Sequence, residues 1–129
     1  ELLGILNKTK NVTFMNAELT SEIAYNMPCY DLVSFLNVFH HIVHFKGFNE
    51  ADKIMKCLYK KTNKYFIFET GQYNEKGLYW SNDLSFMGDS PTQWVLEYLQ
   101  MLGFSEVKMV SKFKTHLNSE ERGFFICTK

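Results

Sequence analysis

The chain has 129 residues, 46% of them hydrophobic and 22% charged, the makeup of one globular domain rather than a disordered or fibrous chain. Its Lys plus Arg count of 14 equals its Asp plus Glu count of 14. No whole-protein field therefore draws it to nucleic acid or to an anionic membrane, and neither is expected as a partner. No stretch approaches the roughly 20 apolar residues that a transmembrane helix needs. Cys29, Cys57 and Cys127 are widely spaced and form no Cys-x-x-Cys pair for zinc or redox work, so reduced core thiols in a cytoplasmic protein are expected. The start at Glu1-Leu2-Leu3-Gly4 has neither an initiator Met nor a charged leader region, and the expectation is a chain that begins inside a longer one.

Leu2, Leu3, Ile5 and Leu6 fit the tail of an amphipathic helix. The run from Asn11 to Asn16 alternates as a strand does, through Val12 and Phe14, whereas Thr20 to Met27 is loop or a single helical turn. Tyr30 to Phe39 holds the apolar run Leu32-Val33-Ser34-Phe35-Leu36, which suits a strand buried on both faces of a parallel sheet. Ala51, Ile54, Met55 and Leu58 then fall at helical spacing, with Asn49 as the expected N-cap. Lys64 to Thr70 is again strand-like, and Gly71 to Asp89 is a long loop of the kind that more often carries function than not. Ser90-Pro91-Thr92-Gln93 reads as a capping box with proline at the first helical position. Trp94, Val95, Tyr98, Leu99 and Leu102 give that helix its apolar face, read as core, and Gly103 its stop. Phe104 to Ser111 and Gly123 to Thr128 complete the pattern as an antiparallel hairpin joined through Lys112 to Arg122. The whole is an α/β domain spanning 1–129, with a mostly parallel sheet and a C-terminal antiparallel hairpin.

Tyr30-Asp31-Leu32-Val33-Ser34-Phe35-Leu36-Asn37-Val38-Phe39-His40-His41 resembles the fourth strand and following loop of class I S-adenosylmethionine-dependent methyltransferases, where an Asp precedes a hydrophobic strand and Asn-Val-x-His-His leaves it. Val12 to Leu19 resembles the third strand and its exit, where the family places an acidic residue near the adenine; here that residue is Glu18, where Asp is commoner. His40-His41-Ile42-Val43-His44, Tyr79-Trp80, Thr115-His116-Leu117 and Arg122 are similar to the methyltransferase domain of bacterial O-antigen chain-terminating enzymes, which methylate a terminal sugar or its phosphate. The resemblance implies a partial Rossmann-like fold of strand order 3-2-1-4-5-7-6 and S-adenosylmethionine as cofactor. It also implies a small-molecule or saccharide acceptor. Glu18, Leu19, Asn37 and Val38 would hold the cofactor, and Tyr79, Trp80, His116 and Arg122 would face the acceptor.

In open α/β sheets, ligands sit beyond the carboxyl ends of the strands. Glu18, Asn37 and Glu69 stand at such ends. Methyl transfer needs an aligned nucleophile and, for a neutral acceptor, removal of a proton, so His40, His41 and Glu69 are the catalytic candidates. Each has a plainer reading. The two histidines can hydrogen-bond backbone, Tyr79 and Trp80 can anchor a loop, and Arg122 can form a surface ion pair with Glu120 or Glu121. The functional counterpart for Arg122 is a guanidinium clamp on a substrate phosphate or carboxylate. His40 and His44 stand four apart like a metal pair, but no third ligand or His-Glu-x-x-His pattern accompanies them, and no metal is expected.

The family's glycine-rich turn and the acidic residue of its second strand find no counterpart in the sequence. The chain is therefore expected to be the later part of the domain, able to fold yet weak in cofactor binding. A strand 3 without strands 1 and 2 would need another neighbour, in a homodimer or from a companion segment. The alternative to an enzyme is an inactive methyltransferase-like module that works through its exposed edge. A different Rossmann-like enzyme is a third reading, but neither a nucleophile elbow nor a phosphate loop is present.

Overall fold

A computed structural model describes residues 12–115, 117 and 119–129. The expected helix tail at Leu2 to Leu6, Asn11, and the candidate His116 lie outside the described residues. Four strands form one sheet: β1 (Tyr30–Leu36), β2 (Thr62–Glu69), β3 (Glu106–Lys114) and β4 (Glu121–Thr128), in the order β1-β2-β4-β3. β1 and β2 run parallel, in a register that pairs Phe35 with Phe68 and Leu36 with Glu69. β4 is antiparallel to both of its neighbours. In the strand numbering that the resemblance implies this is 4-5-7-6, and the mixed sheet with its terminal hairpin is as expected.

The helices follow from capping and apolar spacing. α1 (Ser21–Asn26) starts where the Thr20 hydroxyl accepts from the Ile23 amide at 3.2 Å, a side-chain cap that satisfies one orphan donor. α2 (Phe39–Lys46) and α3 (Phe48–Lys61) carry the crossover from β1 to β2, with Gly47 between them at φ 83°. That left-handed conformation is costly for a residue with a Cβ. α3 begins at Phe48, one residue before the expected cap, so Asn49 lies inside the first turn and contributes no side-chain cap. The long loop contains a 3-10 helix at Ser81–Met87. α4 (Pro91–Leu102) has Pro91 at its start and ends on left-handed Gly103. The expected capping box does not form, because Ser90 meets the helix through its carbonyl, which accepts from the Trp94 amide at 3.0 Å, and not through its hydroxyl.

The core lies on one face of the sheet. Phe35, Phe66, Phe68, Phe125 and Cys127 point from the strands toward Ala51, Ile54, Met55 and Leu58 of α3 and toward Val95, Tyr98 and Leu99 of α4, all of them buried. Each large apolar side chain buried this way contributes about 1.5–3 kcal/mol. The opposite face is bare: Leu32 is 54% exposed, Tyr65 49% and Leu36 40%. The expectation that β1 is buried on both faces is thereby corrected. β1 is an edge strand among the described residues, and only alternate residues meet the helical layer. Val12 to Asn16 is corrected too, since 12–19 forms no regular element and Val12, Phe14 and Met15 are exposed, with no strand beside them among the described residues. Cys127 is a core thiol, which burial pushes up to about 12, whereas Cys29 is exposed just before the edge strand.

Candidate active site

The carboxyl ends of β1 and β2 lie side by side, and Arg122 stitches them to the loop that follows. Its Nη1 donates to Asn37 Oδ1 and to Glu69 Oε1, both at 2.8 Å. Its Nε and Nη2 donate to the Glu75 carboxylate at 2.9–3.0 Å. The side chain is 2% exposed, so the surface pairing with Glu120 or Glu121 is not the arrangement found. Burial acts against the charged guanidinium, but its bonds to Glu75 and Glu69 outweigh that and raise its pKa above the ordinary value. Asn37 holds φ 60° without being glycine, a conformation that asparagine tolerates better than most residues. Its amide donates to the Glu69 carbonyl at 3.0 Å. Glu69 is thus gripped on backbone and side chain at the mouth of the sheet.

Next to this cluster stand the two histidines at the start of α2. His40 is fully buried, and its Nδ1 accepts from the Gly71 amide at 2.9 Å, with the Thr70 hydroxyl 3.2 Å from the same nitrogen. An amide donor on Nδ1 places the ring proton on Nε2, which has no partner among the described residues. Burial, then the charges of His41 and Arg122, pull the His40 pKa down to about 3. His41 is only partly buried; burial, Arg122 and His44 lower its pKa in the same direction. Its Nδ1 is 2.9 Å from the Tyr79 hydroxyl, and the two rings stack at 5.9 Å. Trp80 packs on both histidines, with ring centroids 4.6 and 5.2 Å away, and the Arg122 guanidinium lies 6.0 Å from its ring. His44 pairs with Asp83 of the 3-10 helix at 2.6 Å, so α2 holds the long loop at three points, Gly71, Tyr79 and Asp83.

Glu18, Leu19, Val38 and His41 line a separate small cavity of about 170 Å³ with Ile42, Phe45 and Lys46. Lys46 pairs with the Glu18 carboxylate at 2.8 Å on its rim. Three of the four residues expected to hold cofactor are therefore together, with His41 as the link to the sheet mouth, and the fourth, Asn37, belongs to the arginine cluster. Of the acceptor-facing set, Tyr79 is exposed, Trp80 and Arg122 are buried, and His116 lies outside the described residues. His40 and His44 face different partners, and among the described residues no group of three or more His, Cys, Asp or Glu is placed to hold a metal ion. Sequence reasoning missed Glu75, Thr70 and Gly71. The only available signal was their position directly after the second parallel strand, at a sheet end already marked by Glu69.

A mixed sheet, with acidic and imidazole side chains gathered at the carboxyl ends of its parallel strands, is the arrangement of a Rossmann-like, class I S-adenosylmethionine-dependent methyltransferase fold. Solved structures agree, and the chain resembles WbdD. It matches a 2.2 Å crystal structure of WbdD with TM-score 0.64 and 26% identity, over 83% of this chain and 22% of that one. A structure described as the bifunctional kinase-methyltransferase WbdD matches at 0.63 and 25%, over the same shares of each chain. Magnesium protoporphyrin IX methyltransferase (ChlM) from Synechocystis PCC 6803, with bound SAH, shares the fold at TM-score 0.60 and 18% identity, over 98% of this chain and 55% of that one. The chain thus spans 22% of the WbdD chains it matches. No family model and no curated protein matches it. Among the described residues no helix is long and apolar enough to cross a membrane.

Proposed function

We propose that this chain forms the acceptor-side half of an S-adenosylmethionine-dependent methyltransferase acting on an oxygen of a small or saccharide-type acceptor, sugar phosphates included. The observation that carries the reading is the convergence of Asn37, Glu69, His40, His41 and Trp80 around Arg122 at one sheet end. Glu18, Leu19 and Val38 would hold part of the cofactor. Their cavity is smaller than the roughly 300 Å³ at which pockets for whole ligands begin, so the rest of the cofactor needs other contacts. When bound, S-adenosylmethionine supplies an electrophilic methyl group on a sulfonium.

Their contacts favour different roles for the three catalytic candidates. His40 is spent on the Gly71 amide and stays neutral, so it positions the loop and does not carry protons. Glu69 is held by Arg122 and fixes the sheet mouth. His41 remains as the proton acceptor. Its lowered pKa keeps it unprotonated at neutral pH, its ring faces the cofactor-side cavity, and Tyr79 holds its Nδ1, leaving Nε2 for the acceptor hydroxyl. Tyr79 faces the acceptor, whereas Trp80 and Arg122 act through the residues they hold. A cytoplasmic location follows from this reading.

Titrating S-adenosylmethionine into isotopically labelled protein tests the proposal. Amide shifts at Glu18, Leu19, Val38 and His41 are expected. With labelled cofactor and a panel of saccharides and sugar phosphates, His41→Asn should lower turnover by about 10²-fold or more. The edge of β1, which no strand covers among the described residues, favours the second reading, an inactive module acting through that edge. Saturating cofactor without any shift at those four residues would decide for it.

A further inference from the structure

On the helical layer, Phe48 of α3, Phe86 of the 3-10 helix, and Trp94, Glu97, Tyr98 and Met101 of α4 line a cleft of about 490 Å³. The four α4 residues fall at i, i+3, i+4 and i+7, one stripe of the helix. Of this stripe the sequence assigns Trp94 and Tyr98 to the core; Tyr98 is buried, whereas Met101 is 74% exposed and Phe86 is at the surface. The walls are aromatic. Trp94 and Tyr98 lie parallel, 10° apart with centroids at 4.9 Å, Phe86 leans on Trp94 at 5.0 Å, and Phe48 on Phe86 at 4.7 Å. The Tyr98 hydroxyl donates to Asp52 at 3.0 Å, which turns the polar end of that ring into an internal bond.

Glu97 is the one charged group in the lining. Gln93 donates to its Oε1 at 2.9 Å, and its other oxygen has no partner among the described residues. The volume falls in the range of small-molecule sites, which combine apolar walls with a few polar groups. Aromatic faces attract cations and repel anions through the ring quadrupole, and a carboxylate at the rim acts in the same sense. We propose that this cleft is a binding site for a small organic cation with an apolar body, an aryl- or alkylammonium. The site is independent of the methyl-transfer reading. It borders the same 3-10 helix whose Asp83 holds His44, so occupancy is expected to reach the loop beside the crevice.

The test uses 2-phenylethylammonium as the probe and 2-phenylethanol as its uncharged counterpart, each titrated into labelled protein at neutral pH. The ammonium is expected to give saturable shifts at Phe86, Trp94, Glu97 and Met101, and to bind about two- to fivefold tighter than the alcohol, the advantage a cation gains at a partly exposed aromatic site. Glu97→Gln should lower that preference, leaving the part the rings supply, and Met101→Lys should weaken the ammonium more than the alcohol. Both side chains are on the surface, so the fold should tolerate either change. Equal binding of the two probes, a preference undiminished in both variants, or no saturation by about 10 mM would overturn the proposal.

Discussion

Gly71 owes its identity to the rings on either side of it. A Cβ there would stand 2.7 Å from Trp80 Nε1 and 2.8 Å from His40 Cγ, distances that buried ring atoms can relieve only by moving. Gly71→Ala is expected to destabilise the protein by about 1–3 kcal/mol and to shift tryptophan emission, as read by urea titration followed through fluorescence. His40 itself has a pH signature. Its folded pKa of about 3 lies below the ordinary 6.5, so between those values the unfolded chain binds the extra proton and stability rises with pH. Acidification from 6.5 should thus cost up to about 1.4 kcal/mol per pH unit from this residue. His40→Asn keeps an acceptor for the Gly71 amide without a titrating ring, and its unfolding midpoint should fall less steeply between pH 6.5 and 5. Parallel curves for the two proteins would mean that His40 titrates normally. The pair His40-His41 was visible in the sequence as a candidate. That one ring is locked by backbone and the other only met by the Tyr79 hydroxyl was not, because it depends on a Gly71 amide 31 residues away.

At the scale of elements, the loop 71–89 is the part least legible in the sequence. Its length marked it as functional, but nothing local announced that Glu75 would turn inward to meet Arg122 across 47 residues. The strands and helices around it were legible because they repeat every two or every 3.6 residues, and a buried ion cluster repeats nothing. Ser90 shows the opposite failure. The Ser-x-x-Gln spacing matched a capping box, and the proline start was right, yet the hydroxyl makes no cap bond. Arg122 ties the sheet mouth to this loop, and its loss removes the guanidinium that the buried Glu69 and Glu75 share. Arg122→Ala is therefore expected to cost about 3–5 kcal/mol. Arg122→Lys, which keeps the charge but not the fork, should cost less. Urea unfolding gives both numbers, and a loss below about 1 kcal/mol for the alanine variant would show that the carboxylates find other partners at little expense.

For the whole molecule, the sheet has a finished face and an unfinished one. Val33 and Phe35 turn toward the helices while Leu32 and Leu36, their neighbours, stand in solvent. The sequence showed only five consecutive residues, mostly apolar, and from that run alone burial on both faces was the natural reading, since a fully buried parallel strand looks the same. The asymmetry is a property of what lies beside and above β1, which no local pattern encodes. It yields a direct prediction. Phe35→Ala should cost about 3–5 kcal/mol, because the ring stacks on Phe68 at 6.2 Å within the core and leaves a cavity when removed. Leu32→Ala, three residues earlier on the open face, should change stability by no more than about 0.5 kcal/mol. Both can be read by thermal unfolding at two protein concentrations. If Leu32→Ala proves as costly as a core truncation, its side chain is covered in solution. A cost that grows with concentration would identify the cover as a second copy of the chain, whereas one independent of concentration would place the cover within the chain itself.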